Sequence, residues 1–405
     1  MRILHTSDWH LGQHFIGRSR AAEHQKFFAW LLGQVQHQAL NAIIVAGDVF
    51  DTATPPSYAR ELYNQFIVDL HPTGCQLVIL GGNHDSPAVL AESKQLLAKL
   101  NTRVIPAIAA EPADQLILLN DQQGSPGCLL AAIPYLRPRD LLQSQAGQTG
   151  QQKQQNLQQA IAAHCQQLYD LAQQYNQQHQ QDLPIVLTGH LTTVGVSQSE
   201  SVRDIYIGNL EAFSASAFPP ADYIALGHIH QAQQLNSTTD IRYSGSPIAL
   251  SFDEANQQKQ AWLIEFAGRK KQVTSLAIPS FQALHSVRCN LVDVQEKVQQ
   301  ACTSLADGET LWLELVITET DAYLNDVQQR VEPLLQNLPV ELLRLRRMRS
   351  EGASALQLPE QLSLHELTPQ QVWQARLADE MLSAEQVSRL TELHNQVLAG
   401  LEETA

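Results

Sequence analysis

Cysteine is sparse in this sequence and forms no recognisable pairs. The five cysteines, Cys75, Cys128, Cys165, Cys289 and Cys302, are odd in number and make no C-x-x-C motif. This speaks against a disulfide scaffold and a cysteine-bound zinc, and it fits a reducing compartment. Long apolar runs are missing too. The longest, such as residues 42–46 and 76–80, are strand-sized, far short of the roughly 20 residues that span a bilayer. The chain starts directly in a strand-like run at residues 2–6, so neither a signal peptide nor a membrane association is expected and the cytoplasm is the expected location. There is no G-x-S-x-G elbow and no G-x-x-x-x-G-K-[S/T] phosphate loop, so a serine nucleophile of that type and ATP binding through such a loop are excluded. Basic charge is also short. Lys and Arg number 26 against 41 Asp and Glu, a net charge of −15, and nucleic-acid binding normally calls for a basic footprint.

What the sequence does hold is a regular alternation. At 405 residues and 44% hydrophobic, the chain exceeds one ordinary core, and two or three domains are expected. Residues 2–7 read as a buried strand, and residues 20–38 place Phe27, Phe28, Leu31, Leu32 and Val35 at helical spacing. Residues 41–46 read as a second strand. Pro55-Pro56 opens a helix with Tyr58, Leu62, Phe66 and Leu70 on one face, and residues 76–80 form a third strand. This order predicts an α/β fold, a parallel or mixed sheet covered by helices, with ligands at the carboxyl ends of the strands.

Residues 115–119 and 128–133 flank Gly124-Ser125-Pro126-Gly127 and read as a hairpin. The glutamine-rich stretch 143–181 reads as a helix, because Leu157, Ile161, His164, Leu168, Leu171 and Tyr175 recur every three or four residues. His164 in that stripe is a packing or surface group, not a ligand. Strands are expected at 183–188 and 222–226, and closing antiparallel strands at 242–250 and 261–266. Arg269, Lys270 and Lys271 before Pro279 mark a domain boundary in residues 267–280. A small β-α-β-α-β unit follows over 283–346, and Gly352 and Pro359 mark a linker over 351–363. Two amphipathic helices at 369–381 and 384–401 then present Val372, Leu377, Val387, Leu390, Leu393 and Val397. Two helices cannot bury that face alone, so it docks on the body or on a partner.

The strand ends carry the chemistry. Asp8 and His10 follow the first strand, Asp48 and Asp51 the second, and Gly81-Gly82-Asn83-His84-Asp85 the third. His190, then His228 and His230, follow two later strands. Residues two apart in a strand face the same way, which lets Asp8 and His10 meet one point. Gly81 and Gly82 let the main chain turn sharply and approach something closely. Carboxylates, imidazoles and an amide on one rim suit a borderline divalent metal such as Mn2+, Fe2+ or Zn2+. The rim collects Asp8, His10, Asp48, Asn83, His84, His190, His228 and His230, and seven ligands are too many for one ion. Two ions sharing a carboxylate use them well, and a pair about 3.5–4 Å apart is a clamp for in-line displacement at phosphorus. Histidines away from these strand ends read as structural or surface groups, and Trp9 as packing.

In order and spacing, Asp8-x-His10, Gly47-Asp48-x-x-Asp51, Gly82-Asn83-His84-Asp85, Gly189-His190 and Gly227-His228-x-His230 resemble the motifs of the calcineurin-like metallophosphoesterases. Residues 1–12, 47–51 and Tyr243-Ser244-Gly245-Ser246-Pro247 resemble the DNA-repair nuclease branch of that family. The likeness runs over nearly the whole chain and is weakest in the glutamine-rich stretch and the C-terminal tail. It implies a mixed β-sandwich flanked by helices over residues 1–278, a small α+β capping domain for DNA over 279–350, and a linker with partner-docking helices over 351–405. It implies two divalent ions, Mn2+ foremost. Asp8, His10 and His230 would hold the first and Asn83, His190 and His228 the second, with Asp48 between them. His84 is then no ligand but a catalytic group at the scissile phosphate, oriented by Asp51. The resemblance further implies an SMC-like coiled-coil ATPase as partner and binder of ATP, a homodimer within a heterotetramer, and a nucleoid-associated location. The implied activity is ATP-dependent double-strand exonuclease and single-strand or hairpin endonuclease in DNA repair, replication and recombination.

The acidic balance is compatible with a DNA substrate if the two ions supply positive charge where phosphate sits. Local basic groups are Arg18 and Arg20, Arg137 and Arg139, and Arg344, Arg346, Arg347 and Arg349, with much of the DNA grip left to the partner. The alternative is a metallophosphoesterase acting on nucleotides or phosphoproteins, and a third reading is a non-catalytic scaffold. Asp85, the accessory domain and the paired helices favour the nuclease, and the intact ligand set disfavours the scaffold.

Overall fold

The computed structural model describes residues 1–142, 148–202, 213–235, 237–319 and 327–349, and beyond them 373, 389–391 and 393–394. The linker and most of the two C-terminal helices expected from the sequence lie outside the described residues. The chain divides into two compact units, residues 1–286 with 305–313, and residues 287–304 with 314–405.

In the first unit, β1 (Arg2–Thr6), helix α1 (Ala21–His37), β2 (Ala42–Val45), helix α2 (Ser57–Leu70), β3 (Gln76–Leu80) and β4 (Thr102–Ile105) alternate. The hairpin β5 (Leu116–Asn120) and β6 (Pro126–Ala131), helix α3 (Gly150–Gln178), β7 (Ile185–His190) and β8 (Tyr223–Gly227) follow. The short β9 (Gln233–Gln234), β10 (Ile241–Tyr243), β11 (Gln260–Ala267) and β12 (Lys270–Ala277) complete the unit. They form two six-stranded sheets, ordered β12-β11-β1-β2-β3-β4 and β9-β10-β8-β7-β6-β5. The first is parallel from β1 to β4, with β11 added antiparallel to β1.

Strand alternation builds the layers. Ile43, Val45, Leu77 and Ile79 face Phe27, Phe28, Leu31 and Phe66 of the helices on the first sheet. Their neighbours Ala42, Ile44, Val78 and Leu80 pack in a separate cluster with Leu130, Val186, Tyr223 and Ala225 of the second sheet. The outer face of that second sheet, with Leu129, Leu187, Ile224 and Leu226, is covered by Leu157, Ile161 and Leu168 of α3. The result is a mixed β-sandwich with a helix layer on each outer face. Central strands buried on both faces explain why they read as unbroken apolar runs. His5 crosses between the sheets, with one ring nitrogen 3.0 Å from the Tyr223 hydroxyl and the other 3.1 Å from the Leu226 carbonyl. Thr149 and Gln152 open α3 with a reciprocal capping box, so the glutamine-rich stretch is helical because its inner stripe packs.

One expectation is corrected in part. The closing strand expected over residues 242–250 ends at Tyr243; it pairs antiparallel with β9, as expected, and parallel with β8. Gly245, at φ +74°, turns the chain inward there. The stretch 267–280, in which the sequence places a domain boundary, mostly holds β12, paired along its length with β11 and ending at Ala277. As an edge strand with exposed alternate positions, it carries too thin an apolar signal to read as core.

The small β-α-β-α-β region consists of β13 (Leu284–Cys289), α4 (Val294–Ala301), β14 (Leu311–Glu319), α5 (Val327–Leu335) and β15 (Val340–Arg349), with sheet order β13-β14-β15. Within the second unit, Val294, Val298, Leu315, Ile317 and Val331 are buried. Arg344 pairs with the buried Glu314 at 2.5 Å. No helix among the described residues is long and apolar enough to cross a membrane.

Candidate metal centre

The site lies at the carboxyl ends of β1, β2, β3, β7 and β8. At four of its positions the backbone takes a conformation that side chains disfavour. Asp8, His10, Asp48 and His228 have φ of +53°, +46°, +50° and +94°, each costing about 1–2 kcal/mol. Strain at non-glycine residues is sustained only where the surroundings over-determine it. Here the loops hold one another: the Asp8 amide donates to the Gly47 carbonyl at 3.0 Å and the His10 amide to the Asp48 carbonyl at 3.1 Å. The His228 amide donates to Asp8 Oδ1 at 2.9 Å.

Three groups bring ligand atoms within 4.8 Å of one another: Asp8, His10 and His230; Asp48, His190 and His228; and His10, Asp48 and His84. Asn83 Oδ1 lies 2.8 Å from His190 Nε2 and 3.2 Å from His228 Nδ1. Asp48 Oδ2 stands 3.2 Å from His190 Nε2 and 3.7 Å from His10 Nε2. Two ligands each about 2.1 Å from one ion are themselves about 3 Å apart at a right angle, which these spacings approximate. The residues therefore fit divalent ions. A second observation agrees: His10 Nε2 is buried with no hydrogen-bond partner, and an orphaned buried nitrogen is costly unless something fills it.

The far nitrogens of these imidazoles are held from behind, which orients a metal ligand. His190 Nδ1 donates to the Ala46 carbonyl at 2.8 Å. His10 Nδ1 lies 3.2 Å from Asp51 Oδ1, and His230 Nδ1 lies 2.6 Å from Ser201 Oγ. Electrostatics agree with a cation site. Burial pulls His190 down, but the Asp48 carboxylate outweighs it and its pKa rises to about 9. Burial likewise pulls His10 down, yet its bond to Asp51 and the Asp48 and Asp8 carboxylates leave it raised. Burial pushes Asp48 up, and His190 and His10 more than reverse this, holding it well below the usual carboxylate range. A field that holds protons on those rings also attracts divalent ions, and metal uptake releases the protons.

His84, like His190, is held from behind by a main-chain carbonyl, and its main chain is tied to Asp48 as well. Its amide donates to Asp48 Oδ1 at 2.9 Å, and its Nδ1 donates to the Asp51 main-chain carbonyl at 2.7 Å. The sequence pairs Asp51 with His84, and the structure divides Asp51 between two rings, its carbonyl on His84 and its carboxylate on His10. Asp85, which has no ligand role, proves central to the loop. Its carboxylate accepts from the amides of Val49, Phe50 and Gly82. Burial, with the Asp48 carboxylate, pushes Asp85 up to about 6 against the pull of those amides. Gly82 brings these two loops close together: a Cβ there would lie 2.1 Å from Asp48 Oδ1.

Of the other residues, Trp9 keeps the place expected of it and Arg20 does not. Trp9 is fully buried against Phe27, Phe28 and Phe66, a packing role. Arg20, expected among the local basic groups, is fully buried. It forms a bidentate pair with Glu23 and donates to the Ala249 carbonyl at 2.7 Å, so it offers DNA nothing. Its sequence position beside a charged motif gave no sign of that burial. Arg137 Nη2 donates to the Asp85 carbonyl at 3.0 Å, and Arg139 is exposed. Ser7 bonds the Asp8 carboxylate and lies 2.7 Å from Ser244 Oγ, so the Tyr243–Pro247 motif supports Asp8 from behind. No local sequence signal assigns that role to a serine 237 residues away.

Residues 1–232 match the family model described as calcineurin-like phosphoesterase. Residues 280–381 match the model described as type 5 capsule protein repressor C-terminal domain. The SbcD chain of the nuclease SbcCD from Escherichia coli is 48% identical over 402 residues, covering 99% of this chain and 98% of that protein. Its counterpart of the same name from Rhodobacter capsulatus is 30% identical, covering 93% of this chain and 94% of that protein. That from Bacillus subtilis is 32% identical, covering 65% and 66%.

Proposed function

The chain belongs to the calcineurin-like phosphoesterase family and, within it, to the SbcD nucleases of SbcCD, and from that premise we propose how its strand-end residues cleave DNA. It is a metal-dependent hydrolase, and the nuclease reading prevails over a phosphoesterase for nucleotides or phosphoproteins. The observation that supports a two-ion site is the crowding of seven ligand-type side chains at five strand ends, with Asp48 Oδ2 placed between His10 and His190.

In this reading Asp8, His10 and His230 would hold one ion and Asn83, His190 and His228 the other, with Asp48 available to both. The mixed oxygen and nitrogen donors suit Mn2+. Bound ions would supply Lewis acidity toward phosphate and acidify water. The chain's own residues do the rest. Asp8 and Asp48 keep the rim negative, so a polyanionic backbone is admitted only once cations are present. Asp51 and Asp85 fix the loops that set the spacing. His84, tied through Nδ1 to a carbonyl, presents its other nitrogen to the scissile phosphate and, when protonated, donates to the leaving oxygen.

Membership brings an SbcC-type ATPase and DNA as partners. We assign ATP to that SMC-like partner, since this chain has no phosphate loop. We further assign the chain to a homodimer within a heterotetramer at the cytoplasmic nucleoid. The C-terminal segment, in which the sequence predicts two helices, docks the base of the SbcC coiled coil, and residues 279–350 cap the DNA. Cleavage of an end-labelled hairpin with Mn2+, with and without SbcC and ATP, tests this. Cutting of the hairpin, with exonuclease action on duplex ends dependent on ATP, is expected. Hydrolysis of p-nitrophenyl phosphate with no DNA cleavage would overturn it.

A further inference from the structure

Glu254 is fully buried in a segment without any motif, yet it gathers a large set of donors. Its Oε1 accepts from Ser199 Oγ at 2.7 Å, from Ser251 Oγ at 3.2 Å and from Ser201 Oγ. Its Oε2 accepts from Lys259 Nζ at 2.6 Å, from the Leu250 amide at 3.0 Å and from Ser246 Oγ at 3.3 Å. Lys259 Nζ also donates to the His230 carbonyl at 3.1 Å. A lysine partner alone would neutralise a buried carboxylate. The additional hydroxyls aim the assembly at His230, held at its carbonyl by Lys259 and at its ring by Ser201.

The hydroxyl of Ser201 carries one proton and has three neighbours, Glu254 Oε1, His230 Nδ1 and, at 2.9 Å, Ser199 Oγ, whose own proton goes to Glu254 Oε1. A carboxylate only accepts, so the serine proton points to Glu254 and a serine lone pair is left for His230 Nδ1–H. This selects the imidazole tautomer with its proton on Nδ1 and its lone pair on Nε2, the form that binds a cation. The rear contact of His190 is a main-chain carbonyl in the sheet region, Ala46. That of His230 comes from a loop. The loop is seated by reciprocal bonds between the main chain of Ser197 and the Gln233 side chain, and by the Glu200 amide on Asp253.

We propose that Ser201 and Glu254 are positioning residues for His230, and that seating of the 197–201 loop on Glu254 sets the affinity of the Asp8, His10 and His230 group for its ion. This role rests on the two-ion reading above and makes the two ion positions unequal. One depends on fixed main chain and the other on a loop.

The test is Mn2+ titration of the full chain by calorimetry, with electron paramagnetic resonance of the loaded protein, for wild type, Ser201→Ala, Ser201→Thr and Glu254→Gln. Ser201→Ala should weaken one of two ions about 10–100-fold and leave the other at wild-type affinity. At limiting Mn2+ its spectrum should change from a coupled pair to an isolated ion. Ser201→Thr keeps the hydroxyl and should restore both ions. Glu254→Gln should resemble Ser201→Ala. If it fails to fold with Lys259 left facing an amide, Ser201→Ala, which removes one atom from a loop, decides the matter. Two ions bound to Ser201→Ala at wild-type affinity would overturn this inference alone. A wild type that takes up no Mn2+ would overturn the two-ion reading and this inference with it.

Discussion

Asp85 grips the main chain of Val49 from the end of a neighbouring strand, its Oδ2 accepting from the Val49 amide at 3.1 Å. The same carboxylate also accepts from the Gly82 amide at 2.9 Å and the Phe50 amide at 2.9 Å. One acceptor-only side chain thus joins the loop carrying Asp48 to the loop carrying Asn83 and His84. Asp85→Asn turns one oxygen into a donor facing an N–H. Loss of charged hydrogen bonds in a buried setting should cost about 2–3 kcal/mol, read as a lower urea midpoint. Bound Mn2+ should fall with it, although Asp85 is no ligand.

His84→Ser separates catalysis from metal binding. If His84 acts on the phosphate alone, the variant keeps both ions while cleavage falls by at least about 100-fold. Asp48→Ala should lose metal as well. Emission spectroscopy beside a hairpin-cleavage assay distinguishes them, and metal loss in the His84 variant would show that it is a ligand.

Two glycines respond oppositely to alanine. At Gly82 the new methyl would lie 2.1 Å from Asp48 Oδ1 and 2.2 Å from the Asp48 amide nitrogen, so Gly82→Ala should displace Asp48 and abolish metal uptake. At Gly33, within α1, nothing lies within 4 Å of the added carbon. Gly33→Ala should therefore stabilise the chain by about 0.5–1 kcal/mol through helix propensity, with cleavage unchanged.

The buried His5 predicts acid lability. Burial pulls it down to about 3 from 6.5, so it is neutral in the folded chain. Between those values the unfolded chain binds a proton that the folded chain refuses. Stability therefore falls as pH falls from about 6.5 toward 3, by about 1.4 kcal/mol per pH unit from this residue. Above 6.5 the contribution is constant. Urea unfolding of the metal-free chain between pH 6 and pH 4.5 should show a slope reduced by that amount in His5→Gln. An unchanged slope would place the titration elsewhere.

Much of this was legible in the chain itself. Phe27, Phe28 and Leu31 announce α1 because helical period is local. The runs at β2 and β3 announce buried strands because both faces are covered. The motifs stand where those strands end, so the candidate ligand residues could be named without long-range knowledge. Edge strand β12 was harder, since a half-exposed strand with Lys270 and Lys271 at its start resembles a boundary. The misread stretch after Tyr243 shows a different limit: Ser244 and Ser246 serve Asp8 and His230 instead of a ladder.

The sequence by itself determined the alternation of strands and helices and the chemistry available at the strand ends, because periodicity and short motifs are properties of neighbours along the chain. Only the tertiary structure decided which atoms face one another. It buried Arg20 on Glu23, divided Asp51 between His10 and His84, made Asp85 the tie between two loops, and placed Ser201 and Glu254 behind His230. Those assignments depend on groups tens to hundreds of residues apart meeting in a low-dielectric interior, where each buried donor must find an acceptor, and one-dimensional spacing carries no record of such meetings.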